Sequence, residues 1–394
     1  MTLKELKEII TNGESSKVEF KPDDISAEKL SKEIVALANF QGGMILLGVG
    51  DDKSIIGIKK PKLEEWVMNI CRNNIEPSII PGYEEVAIGD KRVAIISLPY
   101  IQDKPYAVLD RGRRIYYIRV GTTSRGATRE ELRRIYQAGG ELYYETVPIL
   151  TTSIDEALNL DKIFAFYEKY YDKDIKSLIK SEMDRFLLNV GLSATGIDGN
   201  IYPTIAGLLL FGNNPEQHLF QTGIIFCSVK GDKITDSMID RKVFTSTLKE
   251  NVDDFCDMIK NIIPCYPKII GLKRVEKELF PYKVIREAVV NALVHRDYTI
   301  NSKVRIFLFS DRLEIKSPGG LPNGVTIERM RDGVSTHRNP TLTKFMAIYH
   351  YMEYAGRGIP MIFNTMIAIG AKKPEIKVEN GEVTLILYPP KEEE

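Results

Sequence analysis

Apolar positions recur at helical spacing along Pro281 to Tyr298, with Val284, Ala288 and Leu293 on one stripe, and this spacing predicts a helix over 281–296. Pro281 suits the first turn, because proline lacks the amide hydrogen that would go unpaired there. At the start of the chain, residues 3–10 read as a short helix broken by Gly13. Glu14 to Lys21 then alternates, with Val18 and Phe20 pointing one way and Lys17, Glu19 and Lys21 the other, as on a half-buried strand. A helix from Ser26 to about Phe40 carries Leu30, Ile34, Leu37 and Ala38 on its apolar face, with Ser26 as its N-cap, and Gln41-Gly-Gly43 ends it. Met44 to Val49 is apolar throughout, the mark of a buried strand, and runs directly into Gly50-Asp51-Asp52.

The middle of the chain, 141–279, reads as a mostly helical linking region. Two helices fit between Ala157 and Asn189, a buried helix fits Thr204 to Phe211, a strand fits Gly223 to Val229, and a helix fits Leu248 to about Ile263. Beyond 280, strand-like runs at Val304–Phe309 and Leu313–Lys316 lead into the turn Ser317-Pro-Gly-Gly-Leu-Pro322. Val334-Ser-Thr-His-Arg-Asn-Pro340 precedes a helix from Thr341, and Tyr354-Ala-Gly-Arg-Gly-Ile359 opens another apolar segment. Two last strand-like runs are Glu375–Val378 and Val383–Tyr388.

Length changes this picture only by setting its scale: 394 residues suffice for two or three domains, each with its own core. Lys plus Arg and Asp plus Glu balance at 54 each, so overall charge points to no polyanionic partner and only local clustering can. Cys71, Cys227, Cys256 and Cys265 show no zinc-type spacing and no secretory framework, which fits reduced thiols in a cytoplasmic protein. The N-terminus lacks the apolar run of a signal peptide. The longest apolar run is well short of the roughly 20 residues that span a bilayer, so no membrane association is expected.

One local cluster stands out. From Arg111 to Arg134, the arginines at 111, 113, 114, 119, 125, 129, 133 and 134 face only Asp110, Glu130 and Glu131, with Tyr116 and Tyr117 interleaved. Guanidinium groups suit bidentate phosphate contacts and tyrosine can stack on a base. Arg111, Arg113, Arg114, Arg119 and Arg125, with Lys21, are therefore the candidates for holding nucleic acid, DNA in preference to RNA. The plain alternative is a solvated strand and helix face.

In the same third, Glu14-Ser, Glu19-Phe-Lys21, Ala38-Asn-Phe-Gln-Gly-Gly43, Leu47-Gly-Val-Gly-Asp51 and Tyr116-Tyr-Ile-Arg-Val-Gly-Thr-Thr-Ser-Arg-Gly-Ala127 resemble the pattern of the AlbA-type Schlafen domain. The resemblance covers roughly the first 135 residues and implies a nucleic-acid-binding module. Some relatives of that domain are metal-dependent nucleases, and their acidic triad would fall on Glu14, Glu19 and Asp51, carboxylates suited to a hard cation such as Mg²⁺ or Mn²⁺. The alternative is that Glu14 and Glu19 are surface charges paired with Lys17 and Lys21, and that Asp51 belongs to a turn.

Glu287 and Asn291 stand four apart, within roughly 40° of each other on one helix face. That helix, the hairpin ending in a Gly turn and the second Gly turn entering a helix together resemble the Bergerat-type ATP site of the GHKL superfamily. The resemblance implies ATP with Mg²⁺: Asn291 on the metal, Glu287 polarising water for ATP hydrolysis, Ser317, Gly319 and Gly320 by the nucleotide, and Gly356, Arg357 and Gly358 along the triphosphate. Arg338 would reach phosphate from a lid. Where the superfamily carries an aspartate for the adenine amino group, this chain has Ser317 and Pro318.

The expected fold class is therefore α+β: a Schlafen/AlbA-like mixed domain at 1–140, the linking region at 141–279 and a GHKL-like α/β sandwich at 280–394, as in transcriptional regulators of the RecG-related type. The expected function is an ATP-responsive nucleic-acid-binding regulator acting as a homodimer, a trait implied by the resemblance alone. The alternatives are a metal-dependent nuclease gated by ATP, and a non-enzymatic dimerisation scaffold with a degenerate nucleotide site.

Overall fold

The computed structural model describes the chain apart from residues 100–103, 141, 264, 271–272, 322–324, 334–335, 353–355 and 391–394. Of the motif residues, Pro322, Val334, Ser335, Tyr354 and Ala355 lie outside the described residues. The chain divides into two compact units, Met1–Leu142 and Tyr143–Glu394, and both mix helices with sheets.

In the first unit four strands run in the order Val18–Lys21, Gly43–Leu47, Lys91–Leu98, Gly82–Ile88, the first pair parallel and the others antiparallel. Alternate residues of the central strands enter two separate cores. Ile45, Leu47, Ala94 and Ile96 pack with Leu30, Ile34 and Leu37 of the helix Ala27–Asn39, while Leu46, Val93 and Ile95 pack with Leu6, Ile10 and Phe20. Both faces of the sheet are covered, which is why the segment from Met44 has no polar alternation. Ser26 caps the helix as expected, accepting from the Lys29 amide. Asn39 ends it with a carboxamide that donates to the carbonyls of Tyr106 and Tyr117 and accepts from the Tyr106 amide, at 2.8–2.9 Å. Gly42 and Gly43 come next, at φ 72° and 148°, where a Cβ would collide with the carbonyl oxygens of Leu98 and Lys17, so the turn back into the sheet requires glycine. Trp66, on the helix Leu63–Asn73, packs against the first core with the Lys60 ammonium 3.2 Å from its ring centroid.

The second unit is built on a six-stranded sheet ordered Met238–Phe244, Ile224–Val229, Val304–Leu308, Leu313–Pro318, Glu382–Leu387, Glu375–Glu379. Ile224–Val229 and Val304–Leu308 pair in parallel and the other neighbours are antiparallel. Residues on both sides of position 279 thus build one sheet and one core. The segment 143–279 brings strands as well as helices, among them the hairpin Cys265–Ile270/Lys273–Glu278. The helix over the centre of the sheet is Tyr282–Val294, with Val284, Ala288 and Leu293 buried as their spacing requires. It lies between the helices Leu248–Ile262 and Gly358–Ala368 and rests on the strand Leu313–Pro318.

Hydrogen bonds secure the end of that helix. Arg296 is buried and donates to the carbonyls of Gln221 and Ile300, and the Tyr298 hydroxyl donates to Leu293 O at 2.8 Å. Asn339 donates to the carbonyls of Val294 and Arg296 at 2.7 and 2.9 Å, so it satisfies orphan acceptors at the helix end instead of reaching outward. Among the described residues no helix is long and apolar enough to cross a membrane.

Candidate functional site

The 3.6-residue period sets Glu287 and Asn291 side by side, and Asn291 Nδ2 donates to Glu287 Oε1 at 3.0 Å. With its nitrogen engaged there, the Asn291 amide presents its carbonyl oxygen as the atom available to a cation. Both residues line a cavity of about 1030 Å³ of atom-free space, part of it open to solvent. Gly319 and Gly320 from the first glycine turn, Ser317 beside them, and Gly356 and Gly358 from the second line the same cavity.

Glycine at 358 leaves the space that the Glu287 carboxylate occupies. A Cβ there would overlap the Glu287 carboxylate, 2.8 Å from its Cδ, and stand 3.2 Å from Asn291 Nδ2. The backbone entering the helix Gly358–Ala368 thus lies directly against the Glu/Asn pair. The helix begins at the cavity, with Gly358 and Ile359 in its lining, and the positive end of its dipole lies there beside a carboxamide oxygen. That combination accommodates an anion together with a cation.

Other expected residues take different places. Ser317 Oγ donates to Ala292 O at 2.8 Å, fastening the strand end to the helix. Arg338 spends its guanidinium on the carbonyls of His295 and Gly320, at 3.1 and 2.8 Å, and so holds the first glycine turn against the helix end. Arg357 is exposed and heads the helix from Gly358. His295 and Thr336, which fall within motif stretches but were given no role, and Val325, Met330, Met352 and Ile376, which no motif singled out, also line the cavity. They come from separate elements and share no spacing along the chain. His295 stacks on His337 with centroids 5.7 Å apart, and burial, with the neighbouring His337 and Arg338, pushes its imidazole down to about 3, so it is neutral at physiological pH.

In the first unit the expected acidic triad is not gathered into a metal site: among the described residues no group of three or more His, Cys, Asp or Glu side chains could hold an ion. Val18 and Phe20 do face a core, but the opposite face of their strand is covered too, and Glu19 is only 4% exposed. Its carboxylate pairs with Arg119 and, at 2.5 Å, with Lys21. Glu14 accepts from the Phe20 amide at 2.9 Å, while Asp51 stands exposed in a turn.

Arg119 corrects the nucleic-acid assignment. Its side chain has no solvent exposure, binds Glu19 and, at 3.3 Å, Glu33, and donates to Ser124 Oγ and to Ser15 O. It joins the hairpin Tyr117–Val120/Thr123–Gly126 to the first strand and the helix Ala27–Asn39. Lys21 is largely enclosed; burial opposes its charge, but the Glu19 carboxylate, with Glu14 and Glu33, holds its pKa above the usual lysine value. Arg114 makes a bidentate pair with Glu76 at 2.7 and 2.8 Å, and Arg125 does the same with Glu131 at 2.7 and 2.9 Å. Arg111 and Arg113 are exposed at the tip of the hairpin Ala107–Asp110/Arg113–Ile115, and no ion pair within the described residues engages them. Arg111 and Gly112 form the two-residue turn at φ 48° and 79°.

Two family comparisons match this chain. Residues 14–128 match the family described as "Schlafen, AlbA_2", and residues 301–387 match the family described as "Putative ATP-dependent DNA helicase recG C-terminal". The second match includes both glycine turns and begins after Glu287 and Asn291. Among solved structures, the DIP2311 protein from Corynebacterium diphtheriae is 20% identical over 99% of this chain and 80% of that one, with a TM-score of 0.49. The N-terminal domain of a RecG-related protein from Nitrosomonas europaea is 20% identical over 32% of this chain and 90% of that one, with a TM-score of 0.24. No curated protein matches. The chain therefore joins a Schlafen AlbA_2 domain to a RecG-related, ATPase-like C-terminal domain.

Proposed function

We propose that the second unit binds ATP with Mg²⁺ and the first binds nucleic acid, DNA in preference to RNA, so that nucleotide occupancy regulates the nucleic-acid-bound state of a homodimer. The observation that carries the nucleotide half is the single cavity shared by Glu287, Asn291 and the two glycine turns. Asn291 offers its carbonyl oxygen to the metal ion, which when bound neutralises phosphate charge. Gly356 and Gly358 let backbone amides approach the phosphates, and the N-terminal end of the helix from Gly358 favours their negative charge. Glu287, beside Asn291, is the group placed to accept a proton from water during hydrolysis. The apolar wall of Val325, Met330, Ile376 and Leu385 suits the flat face of a base.

Support for the nucleic-acid half comes from the Schlafen AlbA_2 match and from Arg111 and Arg113 at one exposed hairpin tip. Transcriptional regulation is the role this pairing of domains suggests. The nuclease alternative draws less support, because Glu19 is already bound to Arg119 and Lys21. Titrating ATP and MgCl₂ into wild type and Asn291→Ala in a calorimeter tests the core of the reading. Saturable heat with wild type that Asn291→Ala loses is expected, and a wild type with neither heat nor thermal shift would overturn it.

A further inference from the structure

The strand Met238–Phe244 ends the six-stranded sheet with one neighbour, Ile224–Val229, so one row of its backbone N–H and C=O groups faces outward. This edge carries both the charges and the bulge that blunt edge strands and an exposed apolar set, Met238, Ile239 and Val243 being 53%, 66% and 47% exposed. Between them Asp240, Arg241 and Lys242 make no ion pair with any described residue. We infer that this edge is a docking surface for a second copy of the chain, joined strand to strand in antiparallel register about Arg241. Such an edge supplies a surface for the homodimer proposed above and does not depend on nucleotide.

The register is dictated by symmetry. A two-fold axis perpendicular to a sheet maps each face onto itself, so a strand can pair with its own copy only with one residue opposite itself. Centred on Arg241, Asp240 stands opposite Lys242 twice, while the bulge at Ile239 takes Met238 and Ile239 out of the regular register. Centred on Asp240, two carboxylates oppose each other. Centred on Lys242, two ammoniums oppose each other and Asp240 meets Phe244. Cross-strand pairs of opposite charge or of apolar side chains stabilise and like charges destabilise, so the first register is favoured. Its one unfavourable pair, Arg241 against itself, lies on the opposite face of the strand from Asp240 and Lys242. The bulge between Ser228 and Val229 falls at Ile239, and the segment Asp240 to Lys242 keeps regular pairing with Ser228, Cys227 and Phe226. The other edge, Glu375–Glu379, sets Glu375 against Glu379 in its full-overlap register and brings Lys377 opposite Glu379 only in a shorter register about Val378.

Sedimentation equilibrium of the full chain without nucleotide or nucleic acid provides the test, using Asp240→Lys, Lys242→Asp and the double swap. Wild type is expected to dimerise. Each single swap turns two attractive pairs into two repulsive ones and should weaken the dimer about tenfold or more. The double swap restores opposite charges in the same register and should recover wild-type affinity. Unchanged circular dichroism shows that exposed substitutions have left the fold intact. A monomeric wild type overturns both this surface and the dimer reading. A dimer indifferent to the single swaps, or one that the double swap fails to restore, overturns the surface while leaving a dimer through another face.

Discussion

At the residue scale, Arg119 and Arg113 show how far burial divides like residues in one basic block. Arg119 is enclosed between two carboxylates, and removing one member of a buried pair typically costs about 3–5 kcal/mol because the partner charges stay buried. Arg119→Met should therefore lower the stability of the first unit by about that amount in urea titrations. Arg113→Ala, at an exposed hairpin tip, should leave stability within about 0.5 kcal/mol. Its effect should appear in fluorescence anisotropy with labelled DNA, as weaker binding and a salt dependence shallower by about one phosphate contact. The alternation that exposed Val18 and Phe20 as core residues could not reveal what covers the other face of their strand. Burial of Glu19 depends on the helix Ala27–Asn39 and on a hairpin a hundred residues away. For the same reason Arg119 and Arg113 look alike along the chain.

At the scale of elements, the helix Gly358–Ala368 meets Tyr282–Val294 with a glycine where the Glu287 carboxylate rests. Gly358→Ala would push the flexible end of Glu287 aside, a shift that costs little stability but takes the carboxylate from its place beside Asn291. If the nucleotide reading holds, the rise in melting temperature produced by ATP and Mg²⁺ should disappear in this variant, which differential scanning fluorimetry can check. A second helix start depends on pH. Glu145 is fully buried and accepts from the amides of Thr341 and Leu342 at 2.6 and 2.9 Å, at the head of the helix Pro340–Ile348. Burial pushes its carboxyl up to about 7, against those two hydrogen bonds. Between the unfolded value near 4.5 and about 7 the folded state holds a proton that the unfolded state has lost, so stability falls as pH rises across that window. Wild type should lose thermal stability from pH 5 to pH 8 more steeply than Glu145→Gln. Helices with a clear period, such as Tyr282–Val294, were legible in advance. Glu145 was not, because nothing near it in sequence marks it as the cap of a helix that begins at residue 340.

At the scale of the whole molecule, the sheet of the second unit crosses the boundary drawn at 279. Ile224–Val229 pairs with Val304–Leu308, and Met238–Phe244 extends it further, so a fragment of 280–394 would expose the side of a central strand. A fragment of 143–394 should give cooperative thermal unfolding, whereas 280–394 should be aggregated or lack a transition by circular dichroism. Apolar runs announced the strands at 224 and 304, but their parallel pairing spans too many residues for local pattern to suggest. The strand Met238–Phe244 left no trace either, since three charged residues interrupt it. Both glycine turns were visible as motifs, and the apolar residues that line the cavity with them were not.

Trp66 is the chain's lone tryptophan, and it sits against a core of the first unit beneath the Lys60 ammonium. Indole emission consequently tracks the melting of residues 1–142 only, while tyrosine absorbance registers 143–394 as well. A single sample heated in one cuvette can report whether the halves come apart together or in succession.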